Sequence, residues 1–226
     1  MAGEIVKFPS NGNEAEGYLA TPASGSGPGV IVIQEWWGLV PHIKDICDRL
    51  AGEGFVALAP DLYHGETSTE PDEAGKLMMG MKIDEAARDM TGAVDYLAGN
   101  ETATGGKVGC VGYCMGGGLS LYLASLKPEI GACVIYYGVL PGTQPNFADI
   151  QAPVLGHYAE NDDFANPAAA RDLETNLKML GKEVEFHIYP ATEHAFFNDT
   201  RADVDNADAA KLSWERTLSF FRAHLG

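Results

Sequence analysis

Gly112-Tyr113-Cys114-Met115-Gly116 is the stretch that decides how this chain folds. It closes the strand-like run Lys107–Gly112, and the helical pattern Met115–Leu126 begins almost at once behind it. A nucleophile set between two glycines at such a junction marks a sharp strand–turn–helix bend. The glycines have a physical reason. A side chain two positions to either side of the bend would collide with the neighbouring strand or helix. The helix N-terminus then aims unpaired N–H groups and a positive dipole end at the thiol, which favours a thiolate and steadies an oxyanion. Cys114 is therefore the candidate nucleophile. Cys47, Cys110 and Cys133 read instead as buried thiols, the ordinary fate of free cysteine.

Outward from that bend, strand-like and helix-like patterns alternate, as in a mostly parallel sheet flanked by helices. Glu4–Phe8 and Ala15–Ala20 are expected strands around the turn Ser10-Asn11-Gly12-Asn13. Gly29–Gln34 is a continuous β-branched run, typical of a strand buried on both faces. Further strands are expected at Gly54–Leu58, Ala132–Tyr137, Pro153–Tyr158 and Glu183–Tyr189. Helices are expected at His42–Gly52, Glu73–Leu97 with a break near Gly80–Asp84, and Ala168–Leu180. A closing helix carries Trp214, Leu218, Phe221 and Leu225 on one stripe. No linker divides the 226 residues, so one α/β domain is expected, and the short segment Val139–Gln151 leaves no room for a lid domain.

Composition narrows the partners. A formal charge of −17 argues against nucleic acid and anionic membranes, because phosphate binding needs clustered Lys and Arg. A solvated acidic surface that keeps the protein in solution is the expected reason, and adaptation to salt would look similar. The four cysteines show no C-x-x-C pair, which points to a reducing compartment. The N-terminus has no basic region leading into an apolar stretch, so no signal peptide is expected and the cytoplasm is the default.

A hydrolase of this architecture draws its acid and its histidine, in that order, from loops leaving later strands. His194 is the only histidine between the last expected strand and the closing helix. His157 and His187 fall inside strands, and His42, His64 and His224 are expected at the surface, with His64 in a loop at the correct edge. Leaving Pro153–Tyr158 the chain runs Ala159-Glu160-Asn161-Asp162-Asp163. Asp162 is favoured because a residue several positions past the strand can fold back toward the base, although spacing barely separates it from Asp163.

These residues together resemble the dienelactone hydrolase (carboxymethylenebutenolidase) family over essentially the whole length. The resemblance is carried by Gln34-Glu35-Trp36-Trp37-Gly38, Ala59–Tyr63, Gly109–Gly117, His157–Asp162 and His194-Ala195-Phe196-Phe197. It implies a lidless α/β-hydrolase fold, Cys114, Asp162 and His194 as a catalytic triad, and Glu35 as a carboxylate beside the thiol that controls its protonation. It also implies an oxyanion hole made by the backbone N–H groups of Met115 and Trp36. Neither metal nor organic cofactor is implied. The substrate would be a small ester or lactone, in the family an enol lactone opened to a maleylacetate-type product. From the residues alone, Glu35 ends a buried strand where an unpaired charge is costly, and a purely structural role competes.

One departure stands out. The family holds its substrate's carboxylate with arginines, yet Gly65–Leu77 has none and the position four after His194 is Asn198. Arg201, or more weakly Lys82 or Arg88, is the expected substitute, and an amide does not reproduce an Arg fork. Trp36, Trp37, Phe196 and Phe197 point to an aromatic pocket. A broader carboxylesterase, a non-catalytic lactone-binding module and a thiol redox protein are the competing functions. A monomer or weak homo-oligomer is expected.

Overall fold

A computed structural model describes residues 3–10, 12–138 and 145–226 of the chain. Among these residues eight strands form one sheet in the order β1-β2-β4-β3-β5-β6-β7-β8. The strands are β1 (Glu4–Ser10), β2 (Asn13–Ala20), β3 (Gly27–Ile33), β4 (Val56–Pro60), β5 (Ala103–Tyr113), β6 (Ile130–Tyr136), β7 (Val154–Asn161) and β8 (Val184–Glu193). The pairings β1–β2 and β2–β4 are antiparallel and all others are parallel. The parallel part is apolar throughout. Val30 to Ile33 are completely buried, as a strand covered on both faces requires. Ser10 pairs with Asn13 across the expected hairpin turn, of which Asn11 lies outside the described residues.

Among the described residues, six α-helices flank this sheet. They are α1 (Pro41–Gly52), α2 (Pro71–Gly80), α3 (Ile83–Ala98), α4 (Met115–Leu126), α5 (Pro167–Met179) and α6 (Ala207–Leu225). Proline at the first turn opens α1, α2 and α5, where a missing N–H costs nothing. The side chain of Asn166 caps α5 by accepting from Ala169 N–H at 2.9 Å, and Asn206 caps α6 through Ala209 N–H at 3.1 Å. The break expected near Gly80 is present, between α2 and α3. Helix α1 packs on β2 to β4 and α6 on β5 to β7; α4 packs on β5 and β6, and α5 on β7 and β8. Of the segment 139–151, residues 139–144 lie outside the described residues, and Phe147–Asp149 form a single 3₁₀ turn.

Two expectations need correction. His42 is not at the surface. It is 4% exposed at the start of α1, and neither ring nitrogen has a hydrogen-bond partner among the described residues. Strand β8 runs on to Glu193, past Pro190, so His194 follows the strand's end directly. His157, by contrast, is the packed core imidazole its strand position implied, contacting the Tyr189 hydroxyl at 2.9 Å and Thr217 Oγ1 at 3.0 Å.

Candidate active site

Strand register places the candidate groups. Ile33 of β3 pairs with Gly112 of β5, so Glu35 and Cys114 each lie two residues beyond the same rung. Tyr113 pairs with Tyr136 of β6, which brings Tyr137 beside Cys114. Asn161 of β7 pairs with Glu193 of β8, and the next residues are Asp162 and His194. All of them leave the carboxyl ends of parallel strands, where open α/β sheets bind ligands.

Cys114 sits at φ 54°, ψ −118°, a left-handed conformation that a residue with a Cβ rarely adopts. Its N–H bonds Tyr136 O at 3.0 Å and its carbonyl accepts from Gly117 N–H at 2.9 Å, so both sides of the bend are fixed. The flanking glycines are required as packing. A Cβ on Gly112 would lie 1.9 Å from Gly116 O, and one on Gly116 would lie 2.4 Å from Ile33 O and 2.5 Å from Gln34 O. That close approach presses the start of α4 against the end of β3. It also brings Trp36 and Met115 to one cleft, and Met115, as first residue of α4, has an N–H without an intrahelical partner.

His194 Nδ1 donates to Asp162 Oδ2 at 2.7 Å, and Asp162 Oδ1 accepts from Phe164 N–H at 2.8 Å and Ala165 N–H at 2.9 Å. Burial would raise the pKa of Asp162, but the imidazole and those N–H groups prevail and hold it below its ordinary value. Asp163 is exposed at the rim of the cleft, and it is Asp162 that bonds the imidazole. For His194, burial opposes a positive ring. The Asp162 carboxylate and the Cys114 sulfur outweigh it and push its pKa up to about 10. The imidazole lies between two aromatic rings, Tyr137 at 5.1 Å and Phe164 at 5.4 Å.

Glu35 is 1% exposed, and burial pushes its pKa up to about 7 against the pull of His194, Asn198 and Arg201. Its Oε2 accepts from Asn198 Nδ2 at 3.0 Å. Asn198 is thus 3% exposed behind the cleft rather than on its wall. Phe196 and Phe197 also correct the expectation. Both are buried beneath the site, Phe196 against Tyr137 and Tyr189, Phe197 against Tyr113 and Tyr136. The turn closed by Asn198 N–H to Ala195 O folds them inward. Lys82 pairs with Glu85, and neither it nor Arg88 reaches the cleft; His64 turns to Asp89 instead.

The cleft above Cys114, about 520 Å³, is walled by Trp36, Trp37, Met78, Phe164 and Val204, with Arg201 at its edge. Sequence reasoning missed Tyr137, Phe164 and Met78. Only the β5–β6 register could have revealed Tyr137, and Met78 belongs to a helix distant in the chain. Among the described residues no helix is long and apolar enough to cross a membrane.

Residues 15–225 match the family model described as the dienelactone hydrolase family. Protein usf of Aquifex pyrophilus is 41% identical over 230 residues, covering 99% of both chains. A protein of Aquifex aeolicus (strain VF5), provisionally named carboxymethylenebutenolidase, is 39% identical with the same coverage. A crystal structure from Klebsiella pneumoniae, provisionally named dienelactone hydrolase, superposes with a TM-score of 0.87 at 29% identity, covering 99% of this chain and all of that one.

Proposed function

The chain belongs to the dienelactone hydrolase family of carboxylic-ester hydrolases, and from that premise we propose that Cys114, His194 and Asp162 act as a triad that opens activated esters and enol lactones through a thioester. One observation carries this proposal. The Asp162–His194 hydrogen bond of 2.7 Å turns the imidazole toward a sulfur held in a strained bend at a helix N-terminus.

The thiolate of Cys114 attacks the carbonyl carbon, forming a C–S bond while the carbonyl π pair moves to oxygen. The N–H groups of Met115 and Trp36 receive that oxyanion. Collapse breaks the C–O bond, and His194 gives its proton to the departing alkoxide or enolate. A water that loses a proton to His194 then attacks the thioester, and C–S cleavage restores the thiolate. Asp162 keeps the ring oriented and balances its charge. Glu35, buried at the base of the same cleft with a pKa near neutrality, takes up or returns the thiol proton as the pair resets. Because a thiolate is itself easily expelled, the leaving group must be a good one. That favours aryl esters and enol lactones over amides.

The test is steady-state hydrolysis of p-nitrophenyl acetate and of dienelactone by wild type and Cys114→Ala. Turnover of either substrate that vanishes in the variant supports the triad. Equal rates in the two proteins overturn it.

A further inference from the structure

We propose that the cleft selects uncharged esters or lactones with an apolar body and discriminates against substrates bearing a carboxylate, an inference that rests on the hydrolase reading above. The walls next to Cys114 are apolar, with Trp36, Trp37, Met78, Phe164 and Val204 offering rings and aliphatic surface to a substrate body. The charged groups that line the same cleft are mostly acids. Asp163, Glu193 and Asp203 stand exposed around it and Glu35 lies at its base.

Arg201 is the one guanidinium lining the cleft among the described residues, and it is already engaged. Its Nη2 lies 2.6 Å from Asp203 Oδ2, and its charge also falls on Glu35. Glu193 Oε1 accepts from the neutral amide of Asn161 at 3.0 Å, and neither Glu193 nor Asp163 has an ion pair among the described residues. The ring of His194 is already matched by the Asp162 carboxylate, 2.7 Å from its Nδ1. An incoming carboxylate would have to compete with Asp203 for Arg201 while passing two further acids, in a chain of net charge −17. The helix N-terminus at Cys114 offers no relief, because in the proposed reaction its N–H groups are taken up by the reacting carbonyl oxygen.

The experiment compares two esters that share a leaving group and chain length but differ in one terminal charge. These are 4-nitrophenyl hexanoate and mono-4-nitrophenyl adipate, measured with the full chain in low salt, the rate given by Cys114→Ala being subtracted. The hexanoate should show a kcat/KM at least about tenfold higher, and the ratio should fall several-fold in about 0.5 M NaCl as screening shortens the reach of the acids. Asp203→Asn, which leaves Arg201 unpaired, should lower the ratio too. Equal Cys114-dependent rates for both esters, or a ratio insensitive to salt, overturn the charge selection and leave the hydrolase reading standing. If wild type and Cys114→Ala are indistinguishable on both esters, the hydrolase reading itself falls.

Discussion

Asn198 donates from Nδ2 to Glu35 Oε2 at 3.0 Å, joining two buried residues that lie 163 positions apart in the chain. The amide has no freedom to turn around. Its Oδ1 accepts from Thr200 N–H at 3.1 Å and from Thr200 Oγ1 at 2.6 Å, so the nitrogen must face the carboxylate. A neutral donor lowers the cost of ionising Glu35 only in part, which is why burial still sets its pKa near 7.

Removing that donor should make Glu35 harder to ionise. In Asn198→Leu, the inflection near neutrality in the pH profile of kcat/KM should move upward by about one pH unit, the equivalent of a lost hydrogen bond to a charged group. A profile that keeps its inflection would disconnect Glu35 from turnover. Stability follows a defined sign. Glu35 binds its proton more tightly folded than unfolded, so its contribution is complete below pH 4.5 and is lost as pH climbs to about 7.

Asp162→Asn should lower kcat by roughly 10³- to 10⁴-fold, because an amide in place of the carboxylate favours the wrong imidazole tautomer. Asp163→Asn should fall by less than about tenfold, since its side chain is exposed and does not touch His194. Comparable losses in both variants would show that the acid does not work through His194.

The bend around Cys114 should tolerate no Cβ beside it. Gly116→Ala should cost about 2–3 kcal/mol in urea unfolding, since two carbonyl oxygens of rigid backbone lie within 2.5 Å of the new methyl. Its kcat should drop more than tenfold as α4 and β3 are forced apart. Gly75→Ala, in the middle of α2 and 4.0 Å from the nearest side chain, should instead gain about 0.5–1 kcal/mol.

His42 sets an acid limit. Burial drives its pKa down to about 4, helped by Arg49 and opposed by Asp199, whose Oδ1 is 3.7 Å from Nδ1. The folded state resists the proton, so the contribution of His42 is present above pH 6.5 and is lost as pH falls toward about 4. Across that window the group alone removes roughly 2–3 kcal/mol. His42→Leu should flatten this part of the stability curve, measured by urea unfolding at several pH values. An unchanged slope would assign the acid sensitivity elsewhere.

Local chemistry was legible in the sequence and long-range contact was not. The bend at Cys114 could be read because glycine spacing and a strand-to-helix switch are both properties of consecutive residues. Asp162 and Asp163 could not be separated by spacing, because the difference is which one follows the rung where Asn161 meets Glu193. Asn198 looked like a lost arginine, whereas its partner is a carboxylate two residues beyond the end of β3. Phe196 and Phe197 looked like pocket walls, since nothing local tells that a tight turn folds them beneath the imidazole. His42 looked exposed as a helix-opening polar residue, and nothing local shows that the fold brings Asp199 within 3.7 Å of its ring.

β8 is the last strand of the sheet, with a neighbour on one side only, and it delivers His194. Outer strands peel away at lower free energy than central ones. Warming or denaturant should therefore strip the base from the thiol while β3, β5 and β6 still hold together. The protein would fall silent as a catalyst well before its interior melts.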